Sequence, residues 1–356
     1  MRILVEVISA EFGGIRTYVE HLLRTWERTR PDDELVVVVP ADSTVPTFGH
    51  RRVEVDVPRP AVLGRPLVQT LRIRRIAREH GVDAVLATLP STSLVRTGLP
   101  TAVVVYDLRH ELRPEQFTRS RRLLRNLSYG RGYAVADTIV SISRRTLDDL
   151  HRLHPRTRRT PAAVVHLGAD HVLDWPGEPR TGPAVTFAHH TNKNPDLILD
   201  GWAAGNRRGP AMPDLLVLGT GSARERLQHR IDQLGLSGQV ELAPFLPDEE
   251  FARVLRSASM VVFPSDFEGF GLPVVEGMLL GIPVVIGPEP ATSEVAGGHA
   301  AVLADWTPDA LADAVDRAGR FDAVQLEAAR AHAAEFTWAR VVEQTRSVLE
   351  ETAGRR

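Results

Sequence analysis

Cysteine is absent from all 356 residues. That excludes disulfides, thiol nucleophiles and thiolate metal sites, and it fits a reducing compartment without requiring one. Lysine is nearly absent as well: Lys193 stands alone in a chain with 43 Lys and Arg together. Aromatics make up only 6%, which argues against the stacking surfaces used to bind nucleic acid. No run approaches the roughly 20 apolar residues needed to span a bilayer. The opening Met1-Arg2-Ile3-Leu4-Val5-Glu6-Val7 has an acid inside its apolar run, so it reads as a buried strand and not as a secretory leader. A cytoplasmic protein is expected.

What is present is ordinary for a globular chain: 43% apolar and 25% charged residues, with 27 Gly and 25 Pro. The length exceeds what one hydrophobic core spans, so two domains are expected. Charge supports the division. Residues 1–170 hold 27 Arg against 19 Asp and Glu, net +8, and the remainder has 16 basic against 26 acidic groups, net −10.

Short β-branched runs alternate with amphipathic stretches, the pattern of parallel sheets built from βαβ units. In the first half, strands are expected at 3–8, 35–39, 84–88, 102–106, 138–141 and 163–166, with helices at 15–28, 66–80, 119–136 and 143–153 between them. A second series has strands at 185–188, 214–218, 240–242, 260–263, 283–286 and 301–303. Its helices lie near 196–204, 222–234, 248–257, 273–280 and 308–318. The organisation read from this is a first Rossmann-like domain over 1–168, a Pro- and Gly-rich linker over 169–183, a second such domain over 184–337, and a closing helix over 338–356 that returns toward the first domain. The fold class is α/β, two doubly wound domains facing across a cleft. In open α/β sheets ligands sit at the carboxyl ends of the strands, so chemistry is sought just after strands.

Three segments stand there. Glu11-Phe12-Gly13-Gly14-Ile15 follows the first strand and opens a helix. Paired glycines let backbone amides approach an anion at a helix N-terminus, although a tight βα turn with no ligand would look the same. Phe187-Ala188-His189-His190-Thr191-Asn192-Lys193-Asn194-Pro195 carries the lone Lys, a compact point charge suited to phosphate. The strongest is Glu268-Gly269-Phe270-Gly271-Leu272-Pro273-Val274-Val275-Glu276. Glu268 falls on the loop and Glu276 one turn into a helix. The amides of Phe270, Gly271 and Leu272 lie at that helix start, an anion site between two carboxylates able to grip hydroxyls.

Glu268 and Glu276 have the Glu-x7-Glu spacing of the family 4 (GT4) glycosyltransferases, the retaining group-1 type with the GT-B fold, and the chain resembles that family along most of its length. Gly13-Gly14 resembles the family's N-terminal glycine loop. Asp137-Thr138-Ile139-Val140-Ser141-Ile142-Ser143, His166-Leu167-Gly168-Ala169-Asp170 and Gly281-Ile282-Pro283-Val284-Val285 resemble its strand and turn signatures, and Phe336-Thr337-Trp338 the entry to its last helix.

The resemblance implies a transferase moving a sugar from a nucleotide donor, UDP-sugar favoured and GDP-sugar next. The acceptor would be a hydroxyl of a saccharide, lipid-linked or natural-product molecule, as in carbohydrate or antibiotic biosynthesis. Gly13 and Gly14 would approach the pyrophosphate and Lys193 would neutralise it. Glu268 would bind the transferred sugar, Phe270, Gly271 and Leu272 would support sugar and phosphate, Glu276 would hold the ribose, and backbone near Leu246 would meet the base. No metal or other cofactor is implied. One departure concerns the acceptor side. Where the family often has His-Asp, this chain reads Tyr106-Asp107-Leu108-Arg109-His110. Asp107 keeps the acid, and His110 is either a stand-in for the histidine or a plain loop residue. Two other readings stand beside the transferase: a GT-B nucleotide-sugar epimerase and a non-catalytic nucleotide-sugar-binding protein.

The Arg-rich stretches 65–78 and 119–131 fall in the basic half. Leu67, Leu71 and Ile76 space along one side of the former. Such surfaces dock on anionic lipid or form the solvated face of an Arg-biased protein, so weak peripheral contact at the inner face of the membrane stands as an expectation.

Overall fold

A computed structural model of the chain describes residues 1–10, 13–209 and 212–355. Glu11 and Phe12 of the first glycine segment lie outside the described residues. The chain forms two compact units, Met1–Gly168 with Trp338–Arg356, and Ala169–Thr337.

The strands of unit 1 are β1 (Arg2–Glu6), β2 (Glu34–Pro40), β3 (Arg51–Val55), β4 (Ala84–Ala87), β5 (Thr101–Val105), β6 (Thr138–Ser141) and β7 (Ala162–Val164). They form one parallel sheet in the order β3-β2-β1-β4-β5-β6-β7. The central strands are buried along their length because helices cover both faces of a parallel sheet, so they read as continuous apolar runs without alternation. The connecting helices are α1 (Gly13–Thr29), α2 (Ala61–Glu79), α3 (Arg109–Leu112), α4 (Arg119–Val135) and α5 (Arg144–Leu153). Thr118 and Ser143 cap α4 and α5, accepting from Arg121 N and Thr146 N.

Unit 2 repeats the scheme with β8 (Ala184–Phe187), β9 (Leu215–Leu218), β10 (Val240–Leu242), β11 (Met260–Phe263), β12 (Val284–Ile286) and β13 (Ala301–Val302). Its sheet is parallel in the order β10-β9-β8-β11-β12-β13. Its helices are α6 (Pro195–Arg208), α7 (Arg224–Gln233), α8 (Asp248–Ser257), α9 (Leu272–Leu279), α10 (Pro290–Ala296), α11 (Pro308–Gly319) and α12 (Ala323–Ala333). The last helix, α13 (Trp338–Gly354), belongs to unit 1. There Trp338 stacks on His21 of α1, and Arg346 Nε donates to Asp33 Oδ2 at 2.8 Å. Burial works to raise the Asp33 carboxyl, but its hydrogen bonds, with Arg346 foremost, hold it below its usual range.

Several details differ from the sequence expectation. Edge strand β3 was not foreseen, because Arg-Arg-Val-Glu-Val is half-exposed and lacks an apolar run. Helix α2 starts at Ala61, five residues before the expected start at Pro66, which lies inside it. Within α2, Ile76 is buried while Leu67 and Leu71 are exposed, so these three do not share a face. Helix α10 was also missed; Glu289, itself buried, caps it by accepting from Thr292 N at 2.8 Å. The stretch expected to be a linker is ordered at Asp170–Asp174, a 3-10 turn with Val172 fully buried.

Candidate functional site

In unit 2 the strand order runs outward from β8 through β9 and β10 on one side and from β11 through β13 on the other. The loops after neighbouring β8 and β11 therefore part at the topological switch point, where a doubly wound sheet opens a crevice. The lone Lys and the Glu-x7-Glu segment are carried on those two loops. Lys193 Nζ donates to Glu268 Oε1 at 2.5 Å and also lies 4.1 Å from the centre of the Phe263 ring. The same carboxylate oxygen accepts from Ser265 Oγ at 2.5 Å and from Asn192 Nδ2 at 3.1 Å. Asn192 Nδ2 further reaches the Phe267 carbonyl at 2.8 Å, while its buried Oδ1 makes no hydrogen bond. The Lys193 and Glu268 side chains are 9% and 15% exposed. At that burial a pair is costly to desolvate and costly to break, which points to a purpose other than stability.

Glu276 stands on the first turns of α9, 5% exposed, with its Oε1 3.3 Å from Nε2 of His171. Gly271 precedes the helix at φ +103, a conformation open to glycine, and a Cβ there would come within 3.0 Å of the Thr292 methyl. Phe270 is buried edge-on against Phe336. Leu246 lies half-buried on the loop after β10. Its neighbour Phe245 is 71% exposed and tilts against His189 from the loop after β8, 5.9 Å between ring centres.

The carboxyl ends of the unit 1 strands look different. Gly13, at φ +58, and Gly14 start α1 as exposed residues, and a Cβ on either would meet nothing within 4 Å. Asp107 Oδ1 accepts from Arg109 N at 2.9 Å, fixing the turn into α3. His110 is 1% exposed, makes no hydrogen bond, sits 3.5 Å from Glu111 Oε1 and meets Tyr129 edge-on. Burial lowers its pKa, so it is held neutral. The Tyr106 hydroxyl is buried without a hydrogen-bond partner, and burial raises its pKa well above the phenol range. At the unit 1 switch point, between β1 and β4, the side chain of Glu6 is buried and accepts from Gln69 Nε2 and from Thr92 Oγ1. Burial pushes that carboxyl up to about 7.

Asn192, Ser265, His171 and Glu6 were not foreseen. The first two had a signal, standing one residue before Lys193 and three before Glu268. His171 had none, since Glu276 lies on a separate element. Among the described residues no group of three or more His, Asp or Glu could hold a metal ion.

The sequence pattern described as "Glycosyl transferases group 1" matches residues 186–322, and the one described as "Glycosyltransferase Family 4" matches residues 12–173. The D-inositol 3-phosphate glycosyltransferase of Nocardia farcinica is 33% identical over 212 residues, covering 55% of this chain and 44% of that protein. Its namesake in Mycolicibacterium smegmatis is 30% identical over 236 residues, covering 58% and 51%. The chain thus aligns with about half the length of these curated relatives. Among solved structures, Anabaena HepE in complex with UDP-glucose superimposes with a TM-score of 0.74 at 19% identity, over 99% of this chain and 100% of that one. A glycosyltransferase of Rickettsia africae does so with a TM-score of 0.70 at 14% identity, over 99% and 98%. At those identities the likeness is one of fold, two Rossmann-like units of the GT-B kind. With a family pattern on each unit and the fold of both shared with these structures, the chain belongs to the family 4, or group 1, glycosyltransferases.

Proposed function

We propose that the protein moves a glycosyl group, with retention and without a metal ion, from a nucleoside-diphosphate sugar to an acceptor hydroxyl. The observation that carries this reading is the Lys193–Glu268 pair at the switch point of unit 2. Lys193 meets the diphosphate, whose charge grows as the bond from the anomeric carbon to phosphate oxygen breaks. Glu268, released from Lys193, takes hydroxyls of the transferred sugar. Phe270, Gly271 and Leu272 at the start of α9 support sugar and phosphate, Glu276 holds the ribose, and the backbone at Leu246 meets the base. The Gly13 and Gly14 amides at the start of α1 take the same anion chemistry. The acceptor oxygen bonds to the anomeric carbon, and its proton passes to the departing phosphate, so no strong base is required of unit 1. Asp107 is the acceptor-side candidate for contact; His110, the other candidate, is 1% exposed and could meet an acceptor only after a rearrangement.

UDP-sugar is the first donor choice, supported by the UDP-glucose bound in HepE, and GDP-sugar the next. Unit 1 takes the acceptor. Its basic balance favours an anionic one, and the name of the curated relatives adds a phosphorylated cyclitol to the saccharide, lipid-linked and natural-product classes.

Thermal unfolding with excess UDP, GDP, ADP and dTDP in turn, in chelator, is the first test. A nucleotide at 100 times its Kd adds about 2.7 kcal/mol, a shift of a few degrees. UDP raising the midpoint without metal supports the donor assignment. No nucleotide doing so would sink it, and a shift with no transfer to any acceptor class would favour the non-catalytic binding protein.

A further inference from the structure

Seven of the twelve large apolar side chains found exposed among the described residues fall between Val62 and Leu127, all in unit 1. Their placement is regular. Leu63, Leu67 and Leu71 recur every four residues on α2, and Arg74 and Arg78 continue that line. On α4 the same spacing gives Arg119, Leu123, Leu127 and Arg131. The two helices share a border. Leu94 N donates to Thr70 Oγ1 of α2 at 3.0 Å, and Arg131 Nη2 of α4 donates to the Leu94 carbonyl at 2.7 Å. Val95, 51% exposed, lies between them. Segments 61–78 and 118–135 each contain five Arg and no acidic residue.

A solvated helix face should not carry leucines 51–64% exposed on each of two helices bridged by Leu94. The core already takes Val68, Ile73, Ile76 and Ala77 from the rest of α2, so the stripe is surplus to folding. The arginines decide the occupant. They would oppose one another across an interface of two copies, whereas phosphate-bearing headgroups neutralise them while their stems lie over the apolar boundary. We propose that the α2–α4 face of unit 1 docks on an anionic lipid bilayer, the leucines entering the headgroup boundary and the arginines meeting phosphate. This does not depend on the donor assignment, since it concerns a surface and not the reaction.

The test is co-sedimentation of the full chain with phosphatidylcholine vesicles, with and without phosphatidylglycerol, at low and high salt. Binding is expected with the anionic vesicles only and should fall steeply with salt. The variant Arg74→Gln with Arg78→Gln is expected to weaken it about thirtyfold, at roughly 1 kcal/mol per arginine, and Leu67→Ser with Leu71→Ser at least about tenfold by removing apolar surface from the boundary. Val324→Ser, an exposed site on unit 2, should leave it unchanged. All four substituted positions of unit 1 are exposed, and unaltered melting curves check that the variants fold. Failure of the wild-type chain to sediment with anionic vesicles overturns the proposal, as does equal binding by the variants. A concentration-dependent rise in mass abolished by the Leu variant, without vesicle binding, would assign the face to a second copy instead.

Discussion

The two units share one architecture and put opposite chemistry at the switch point. In unit 2 the position holds a Lys–Glu pair backed by Asn192 and Ser265, four residues from two short loops. In unit 1 it holds a lone carboxyl, Glu6, satisfied by Gln69 and Thr92 from distant segments and poised near neutrality. Nearby strand ends bury the Tyr106 hydroxyl and the His110 ring without hydrogen bonds. A fixed charge pair suits a ligand whose charge is always present, as a diphosphate is. Uncharged polar groups suit hydroxyls. The fold alone does not set this difference; the residues on the loops do.

Breaking the unit 2 pair should have the largest effect. Glu268→Gln is expected to lower kcat by about 10² to 10³, the scale of removing a preorganised polar contact to the transition state. Lys193→Ala should cost as much activity and also destabilise the fold by about 3–5 kcal/mol, because it strands a largely buried carboxylate. Combining the two should recover most of that stability and none of the activity. Recovery of both would reduce the pair to a structural contact. Steady-state kinetics beside urea unfolding separate the outcomes.

Glu6 offers the matching perturbation in unit 1. An acid whose folded pKa is raised holds its proton more tightly folded than unfolded, so ionisation works against the fold. Below the unfolded value near 4.5 there is no effect. Between 4.5 and about 7 stability falls as pH rises, and above that the loss levels off at about 3 kcal/mol. Glu6→Gln should remove that slope, leaving a variant more stable than wild type at pH 8 and no more stable at pH 4. Parallel urea curves at the two pH values test it, and an unchanged slope would show that Glu6 ionises freely in the folded protein.

How much of this was legible in the sequence follows the same division. The α/β scheme and the Lys193, Glu268 and Glu276 segments could be read because each is local: a strand, a loop and a helix start within about a dozen residues. The partners of Glu6 lie 63 and 86 residues away, and those of Glu276 on a turn read as linker. Such sites are assembled by topology, and no short-range pattern announces them. Strand β3 was hidden for a related reason, since edge strands need no continuous apolar run.

A smaller effect tests the His171 contact. His171→Ala leaves Glu276 buried beside a void, and a loosened carboxylate should raise the donor KM about tenfold with kcat nearly unchanged, the scale of one hydrogen bond to a charged group. A fall in kcat at constant KM would move His171 from positioning to the reaction itself.

The smallest expected effect concerns Tyr106, which stands just after β5 and before Asp107. Its hydroxyl is buried with no hydrogen-bond partner and its ring meets Tyr18 edge-on at 5.5 Å. A buried polar group without a partner costs free energy, whereas the ring is worth keeping for its packing. Tyr106→Phe should therefore be neutral or stabilising by up to about 1 kcal/mol. If the departing phosphate takes the acceptor proton, kcat should also stay within about twofold, because nothing is asked of the hydroxyl. A loss of tenfold or more at unchanged stability would place that hydroxyl on the acceptor. Unit 1 would then contribute a catalytic group, and the contrast between a charged donor side and a passive acceptor side would fail.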